Sequence, residues 1–110
     1  MLAPVEFAKT HAVTVLLKGA VTTITDGKKI CVNAVGSAGQ AKGGSGDALS
    51  GVVAGLLGQG LSVFDGAVAG AYWLGKSAEN VAKNIGEYSM LATDVIDGLG
   101  KAFLALHATE

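Results

Sequence analysis

The sequence is short of the features that most often declare a small protein's business. It has one cysteine, one proline, and eight basic against nine acidic residues. A lone Cys31 cannot form an internal disulfide, which fits a reducing compartment. Balanced charge leaves no basic stripe, so no nucleic-acid partner is expected. The N-terminus lacks a basic region followed by an apolar core, so no signal peptide is read and a cytoplasmic location is expected. Aromatic residues make up only 5% of the chain, and the apolar mass is mostly Ala, Val and Leu. The longest uncharged stretch, residues 48–64, holds four Gly plus Ser50, Gln59 and Ser62. A spanning helix wants about 20 mostly apolar residues, so no membrane partner is expected. Glycine is abundant, at 17, but follows no three-residue period, which excludes collagen. Half the residues are hydrophobic, which excludes disorder. The 110 residues fit one small domain or part of a larger one.

Residues 5–11 read as the tail of a helix. Residues 13–17, rich in β-branched side chains, read as a short buried strand of the parallel-sheet type. Residues 21–25 and 29–33 read as strands joined by Asp26-Gly27, a strong hairpin signal. A small-residue loop over 36–46 leads into a buried helix over 47–57. A longer helix spans about 63–83, with Asp65 at its positive end and Gly86 as its stop. A last helix, capped by Thr93 or Asp94, runs to about His107. The fold class is α/β, with one buried strand, a β-hairpin and about three helices. A lone parallel-type strand needs neighbours on both sides. The 110 residues are therefore expected to be the C-terminal portion of a larger α/β domain whose N-terminal half is absent. The pairs Gly51/Gly55 and Gly66/Gly70 read as close contacts between small-residue helices of a soluble protein.

The richest segment is Lys42-Gly43-Gly44-Ser45-Gly46-Asp47-Ala48-Leu49-Ser50-Gly51. A Gly-rich loop entering a helix presents free N–H groups at the positive end of the dipole, a site suited to a phosphate. Asp47 fits two roles there: a plain N-cap, or a carboxylate that takes a proton from substrate. Lys18 and Thr22 follow the buried strand at its carboxyl end, where α/β sheets bind ligands. Alone, Lys18 reads as a solvated residue closing a strand. Residues 70–77 match the string G-x-x-x-x-G-K-[ST], but Tyr72, Trp73 and Leu74 fill it and no strand precedes it, so it is not read as a phosphate loop. His11 and His107 stand apart, and no cluster has metal-ligand spacing, so no metal site is expected.

Together, Lys18-Gly19-Ala20-x-Thr22, Val32-Asn33, Gly36 and Gly43-Gly44-Ser45-Gly46-Asp47-Ala48-Leu49-x-Gly51 resemble the ADP-dependent NAD(P)H-hydrate dehydratase family of the ribokinase-like superfamily. Gly58-Gln59-Gly60 and Gly86-Glu87-Tyr88-Ser89 are similar to it as well. The resemblance implies a three-layer α-β-α parent fold. It also implies nicotinamide nucleotide repair: ADP- or ATP-dependent dehydration of (6S)-NAD(P)H hydrate to NAD(P)H, a lyase reaction. Carried over, Lys18, Gly19, Ala20, Val21 and Thr22 hold the nucleotide. Gly43, Gly44, Ser45 and Gly46 form its anion hole, Asp47 is catalytic, and Asp47 and Asn33 contact the substrate. ADP or ATP with Mg²⁺ is the implied co-reactant, and NAD(P)H hydrate the implied substrate. The family loop reads close to Asn-x-Thr-Gly-Asn-x-Gly-Met-Ala, and Val35, Ser37 and Gln40 depart from it. Family domains are more than twice as long and carry a substrate histidine that His11 does not match.

Two alternatives stand beside this reading. One is a ribokinase-like kinase for a sugar or vitamin precursor, with Asp47 deprotonating an alcohol. The other is a non-catalytic nucleotide-binding fragment. The expected partners are a nucleotide, a dinucleotide and further copies of the chain in a homo-oligomer.

Overall fold

The apolar run after residue 12 and the Asp26-Gly27 turn build a three-stranded meander, ordered β1-β2-β3, with β1 Val15–Leu17, β2 Thr22–Thr25 and β3 Ile30–Asn33. This computed structural model describes residues 2–18, 21–37, 40 and 44–107. Helix α1 (Leu2–His11) precedes the sheet, and α2 (Ser45–Gly58), α3 (Val63–Ile85), α4 (Ala92–Asp97) and α5 (Leu99–His107) follow it.

The hairpin forms where the sequence signals it. Asp26 Oδ1 accepts the N–H of Lys28 at 2.9 Å and of Lys29 at 2.8 Å. Buried Thr25 Oγ1 accepts the Gly27 N–H at 3.1 Å. Gly27 has φ +93°, and a Cβ there would stand 2.9 Å from the Lys9 backbone, so glycine also lets the hairpin tip meet α1.

The parallel, buried reading of the first strand is corrected. β1 pairs antiparallel with β2, Leu16 opposite Ile24 and Leu17 opposite Thr23. A connection of only residues 18–21 is too short for the crossover that parallel pairing needs. β1 is half-buried, with Leu17 exposed. Its other edge has no strand partner among the described residues.

Helix α3 organises the core. On its sheet side Ala67 and Ala71 pack with Ile24, supported by Leu16, Cys31 and Phe64. On its other side Leu74 and Ala78 pack with Ala48, Met90 and Val95. Ser62 caps α3, its Oγ accepting the Asp65 N–H at 3.2 Å. Gly66 and Gly70 do make the close contact read from their spacing: a Cβ at either would lie 2.7 Å from Leu57 Cδ2 or 2.8 Å from Val53 Cγ2 of α2. Gly51 and Gly55 do not, since a Cβ at either meets nothing within 4 Å among the described residues.

The expected last helix is instead two helices, α4 and α5, divided at Gly98. The cause is tertiary. The buried Ser77 hydroxyl donates to the Val95 carbonyl at 2.6 Å, and Gly98 packs so tightly that a Cβ would sit 2.7 Å from Ser77 Oγ. Neither Thr93 nor Asp94 is the cap. Leu91 occupies that position, its N–H donating to Asp94 Oδ2 at 2.8 Å. The first helix, too, is longer than read, beginning at Leu2.

Candidate nucleotide and substrate site

Strand register gathers residues that the sequence scatters. Leu17 faces Thr23 across β1 and β2, which puts Lys18 level with Thr22, and Thr22 pairs with Asn33 across β2 and β3. Lys18, Thr22 and Asn33 therefore share one end of the sheet. Lys18 and Val21 are exposed, while Thr22 and Asn33 are half-buried. Gly19, Ala20 and Gly43 lie outside the described residues. Asn33 Oδ1 accepts the Val35 N–H at 3.2 Å, leaving its NH₂ as the end that can meet a ligand. Asn33 also lines a cavity of about 770 Å³ between β3 and α3, with Val35, Asp65 and Tyr72.

The second cluster is the start of α2. Gly44 is the N-cap, at φ 90° and ψ −11°, in the left-handed region that glycine tolerates. The plain-cap reading of Asp47 is thereby excluded, because Asp47 sits inside the first turn. A glycine cap has no side chain to accept the first-turn N–H groups, so none of them is satisfied by the cap residue itself. Ser45 is buried, while Gly46 and Asp47 are exposed. A Cβ at Gly46 would meet nothing within 4 Å, and the Gly46 carbonyl accepts the Ser50 hydroxyl at 3.0 Å. Asp47 stands at one end of an apolar cleft of about 1080 Å³ that runs along α2 past Gly51, Gly55, Trp73, Ile96 and Phe103. The Trp73 indole donates to the Leu99 carbonyl at 2.8 Å and fixes that wall.

Two features of the site escaped the sequence reading. The stretch 90–92 touches both sides of the loop: the Ser37 hydroxyl lies 3.9 Å from Met90 Sδ, and a Cβ at Gly44 would lie 3.3 Å from Ala92 Cβ. The turn after β3 is tied to α3, with the Gly36 N–H donating to Glu79 Oε2 at 3.2 Å. Both link residues more than forty positions apart, which no local pattern announces. Asn33 and Asp47 line different cavities. The string at 70–77 lies wholly within α3, with Gly70, Ala71, Leu74, Gly75 and Ser77 buried, so its N–H groups serve the helix. Among the described residues no group of three His, Cys, Asp or Glu could hold a metal ion. No helix among the described residues is long and apolar enough to cross a membrane.

A family model described as NAD(P)H-hydrate dehydratase matches residues 3–101. The chain belongs to the NAD(P)H-hydrate dehydratase family. It is 41% identical over 96 residues to a bifunctional NAD(P)H-hydrate repair enzyme of Moorella thermoacetica, covering 86% of this chain and 18% of that protein. It is 43% identical over 74 residues to an ADP-dependent (S)-NAD(P)H-hydrate dehydratase of Neisseria meningitidis serogroup B, covering 66% of this chain and 25% of that one. Among solved structures it resembles YxkO of Bacillus subtilis, a member of the UPF0031 family, with a TM-score of 0.88 and 26% identity. That match covers 94% of this chain and 39% of the other, and it supports the ribokinase-like α/β class. The chain thus spans about a fifth of the length of the curated relatives it matches.

Proposed function

We propose that this chain supplies the anion loop and the reactive carboxylate for ADP-dependent dehydration of (6S)-NAD(P)H hydrate. One observation carries the reading: α2 begins on a left-handed glycine with an exposed carboxylate in its first turn. Relatives named for ADP-dependent NAD(P)H-hydrate dehydration support the choice of nucleotide and substrate.

In this reading Lys18 and Thr22 hold the nucleotide at the sheet end, and the N–H groups after Gly44 receive its terminal phosphoryl group. Asp47 accepts the proton of the hydrate's hydroxyl as that oxygen attacks phosphorus. A new P–O bond forms, the bond to the remaining nucleotide breaks, and ADP becomes AMP. The C–O bond then breaks with phosphate as leaving group, and loss of a neighbouring proton restores the nicotinamide double bond. Positioning and charge stabilisation carry most of such a transfer. Mg²⁺ would enter on the nucleotide's phosphates, held there with water and at most one or two carboxylates, and no step is assigned to it. ATP in place of ADP and a cytoplasmic setting belong to the same reading. Self-association belongs to it as well, because the outer edge of β1 has no strand partner among the described residues; sedimentation at rising concentration tests it.

The deciding experiment supplies NADHX and Mg²⁺ with ADP or ATP and follows absorbance of regenerated NADH. NADH formation that vanishes in Asp47→Asn supports the reading. A stable phosphorylated alcohol in place of NADH replaces it with a kinase. A second reading, nucleotide binding without turnover, is favoured by the separate cavities of Asn33 and Asp47. It predicts about 2.7 kcal/mol of added stability at a hundredfold excess of ADP over its Kd, with no NADH.

A further inference from the structure

The segment of α3 from Gly75 to Glu79 contains the end of a string that resembles a phosphate loop, yet it binds the protein's own backbone. A Cβ at Gly75 would lie 2.7 Å from Val35 Cγ2 and 3.0 Å from the Val35 carbonyl oxygen, so only a glycine admits the chain there. One turn later Glu79 Oε2 accepts the Gly36 N–H at 3.2 Å, while Oε1 lies 3.4 Å from Lys76 Nζ. Gly36 itself has φ +130°. The rest of the turn is closed locally, by Asn33 Oδ1 on the Val35 N–H and by Gln40 Oε1 on the Ser37 N–H at 3.1 Å.

As a surface ion pair, Lys76–Glu79 is ordinary: both side chains are about one-third exposed, and such pairs stabilise little. The unusual bond is the one to Gly36, because it ties a turn after β3 to a helix 43 residues away. A charge-assisted bond to a backbone N–H is stronger than a neutral one and fixes direction. Asn33 stands at the near end of that turn and shares its hydrogen bonds.

We propose that Glu79 is a positioning residue for Asn33: by holding Gly36 against α3 it sets the turn that aims the Asn33 carboxamide at the dinucleotide. The proposal rests on the dehydratase reading. Gly75 provides the room, and the partly exposed Lys76 ion pair adds little to the bond. The acceptor oxygen is what matters, so an amide can replace the carboxylate and a methyl cannot.

The test compares Glu79→Ala, Glu79→Gln and Lys76→Met in the full chain by two readouts. The first is hydrogen exchange of the Gly36 amide without ligand. The second is the NADHX dependence of NADH formation with ADP. Glu79→Ala is expected to speed Gly36 exchange about tenfold. It should also raise the KM for NADHX several-fold, with kcat within about twofold. Glu79→Gln should restore both, and Lys76→Met should change either by less than about twofold. Unchanged Gly36 exchange in Glu79→Ala, or faster exchange with an unchanged KM, overturns the proposal alone. A wild-type chain that shows neither NADHX binding nor turnover, with Gly36 exchange still quickened by Glu79→Ala, overturns the dehydratase reading and the positioning role with it.

Discussion

Adding one methyl group at two glycines of the same helix should move stability in opposite directions. At Gly44 the backbone is left-handed, and a Cβ there lies 3.3 Å from the Ala92 methyl. Left-handed backbone costs an L-residue about 1–2 kcal/mol. Restricting the unfolded chain returns about 0.4–1 kcal/mol. Gly44→Ala is therefore expected to destabilise by about 1 kcal/mol, with some further loss from crowding against α4. At Gly51 no positive φ occurs and a Cβ meets nothing within 4 Å. There Gly51→Ala should gain about 0.5–1 kcal/mol, the ordinary helix-interior advantage of alanine. The two variants should thus differ by about 2 kcal/mol. For a domain of this size that is a separation of about 10 °C in Tm. Thermal and urea unfolding followed by helix circular dichroism would read it, and ADP should stabilise Gly44→Ala less than Gly51→Ala. If both substitutions destabilise alike, the exposed face of α2 is covered in solution and the account of an open helix face fails.

Three further outcomes follow from single contacts. Ser77→Ala removes the fully buried hydroxyl on the Val95 carbonyl and should cost about 1–2 kcal/mol in urea unfolding; a neutral result would mean that the α4–α5 break does not depend on it. Gly70→Ala drives a methyl to 2.8 Å from Val53 Cγ2 and should cost about 1–3 kcal/mol, read as a lower urea midpoint with unchanged slope. The N–H groups of Lys29 and Lys28 hold the Asp26 carboxyl below its ordinary 3.8. A lowered folded pKa means stability that is complete above that ordinary value and lost as pH falls through the lowered one. Below about pH 4 the wild-type urea midpoint should therefore fall more steeply than that of Asp26→Asn; parallel curves would remove Asp26 from the acid response.

What the sequence made legible was what local chemistry decides. Asp26-Gly27 between two β-branched runs is a hairpin for backbone reasons, and Asp65 marks the positive end of α3, whose Ser62 cap only the structure shows. Where partners are distant, the reading failed. Residues 13–17 look buried because they are apolar, but composition does not choose between parallel and antiparallel pairing, and the short connection to Thr22 does. Residues 92–107 carry one helical pattern, yet Ser77, on another helix, sets the break at Gly98. Asp47 looks like a cap because aspartate often is one, while Gly44 takes that place by conformation alone. The site was read through Lys18, Thr22, Asn33 and the glycine loop, and register did bring the first three together. Glu79 stayed hidden because its partner is a backbone N–H, which has no sequence signature.

The apolar cleft beside α2 has a thermodynamic counterpart in the surface of the whole chain. A folded monomer of 10.9 kDa is expected to expose about 5,600 Å². This chain exposes 6540 Å², an excess of roughly 900 Å². One partner in a standard protein–protein interface buries about 800 Å². Leu91, Ile96 and Phe103 line the cleft and are each more than 40% exposed, so the exposed surface includes hydrocarbon there. The heat capacity of unfolding should accordingly be low for the chain's length, because less apolar surface is left to expose. Anything that fills the cleft should raise it. Calorimetry thus measures how much of this surface is covered in solution without needing to know by what.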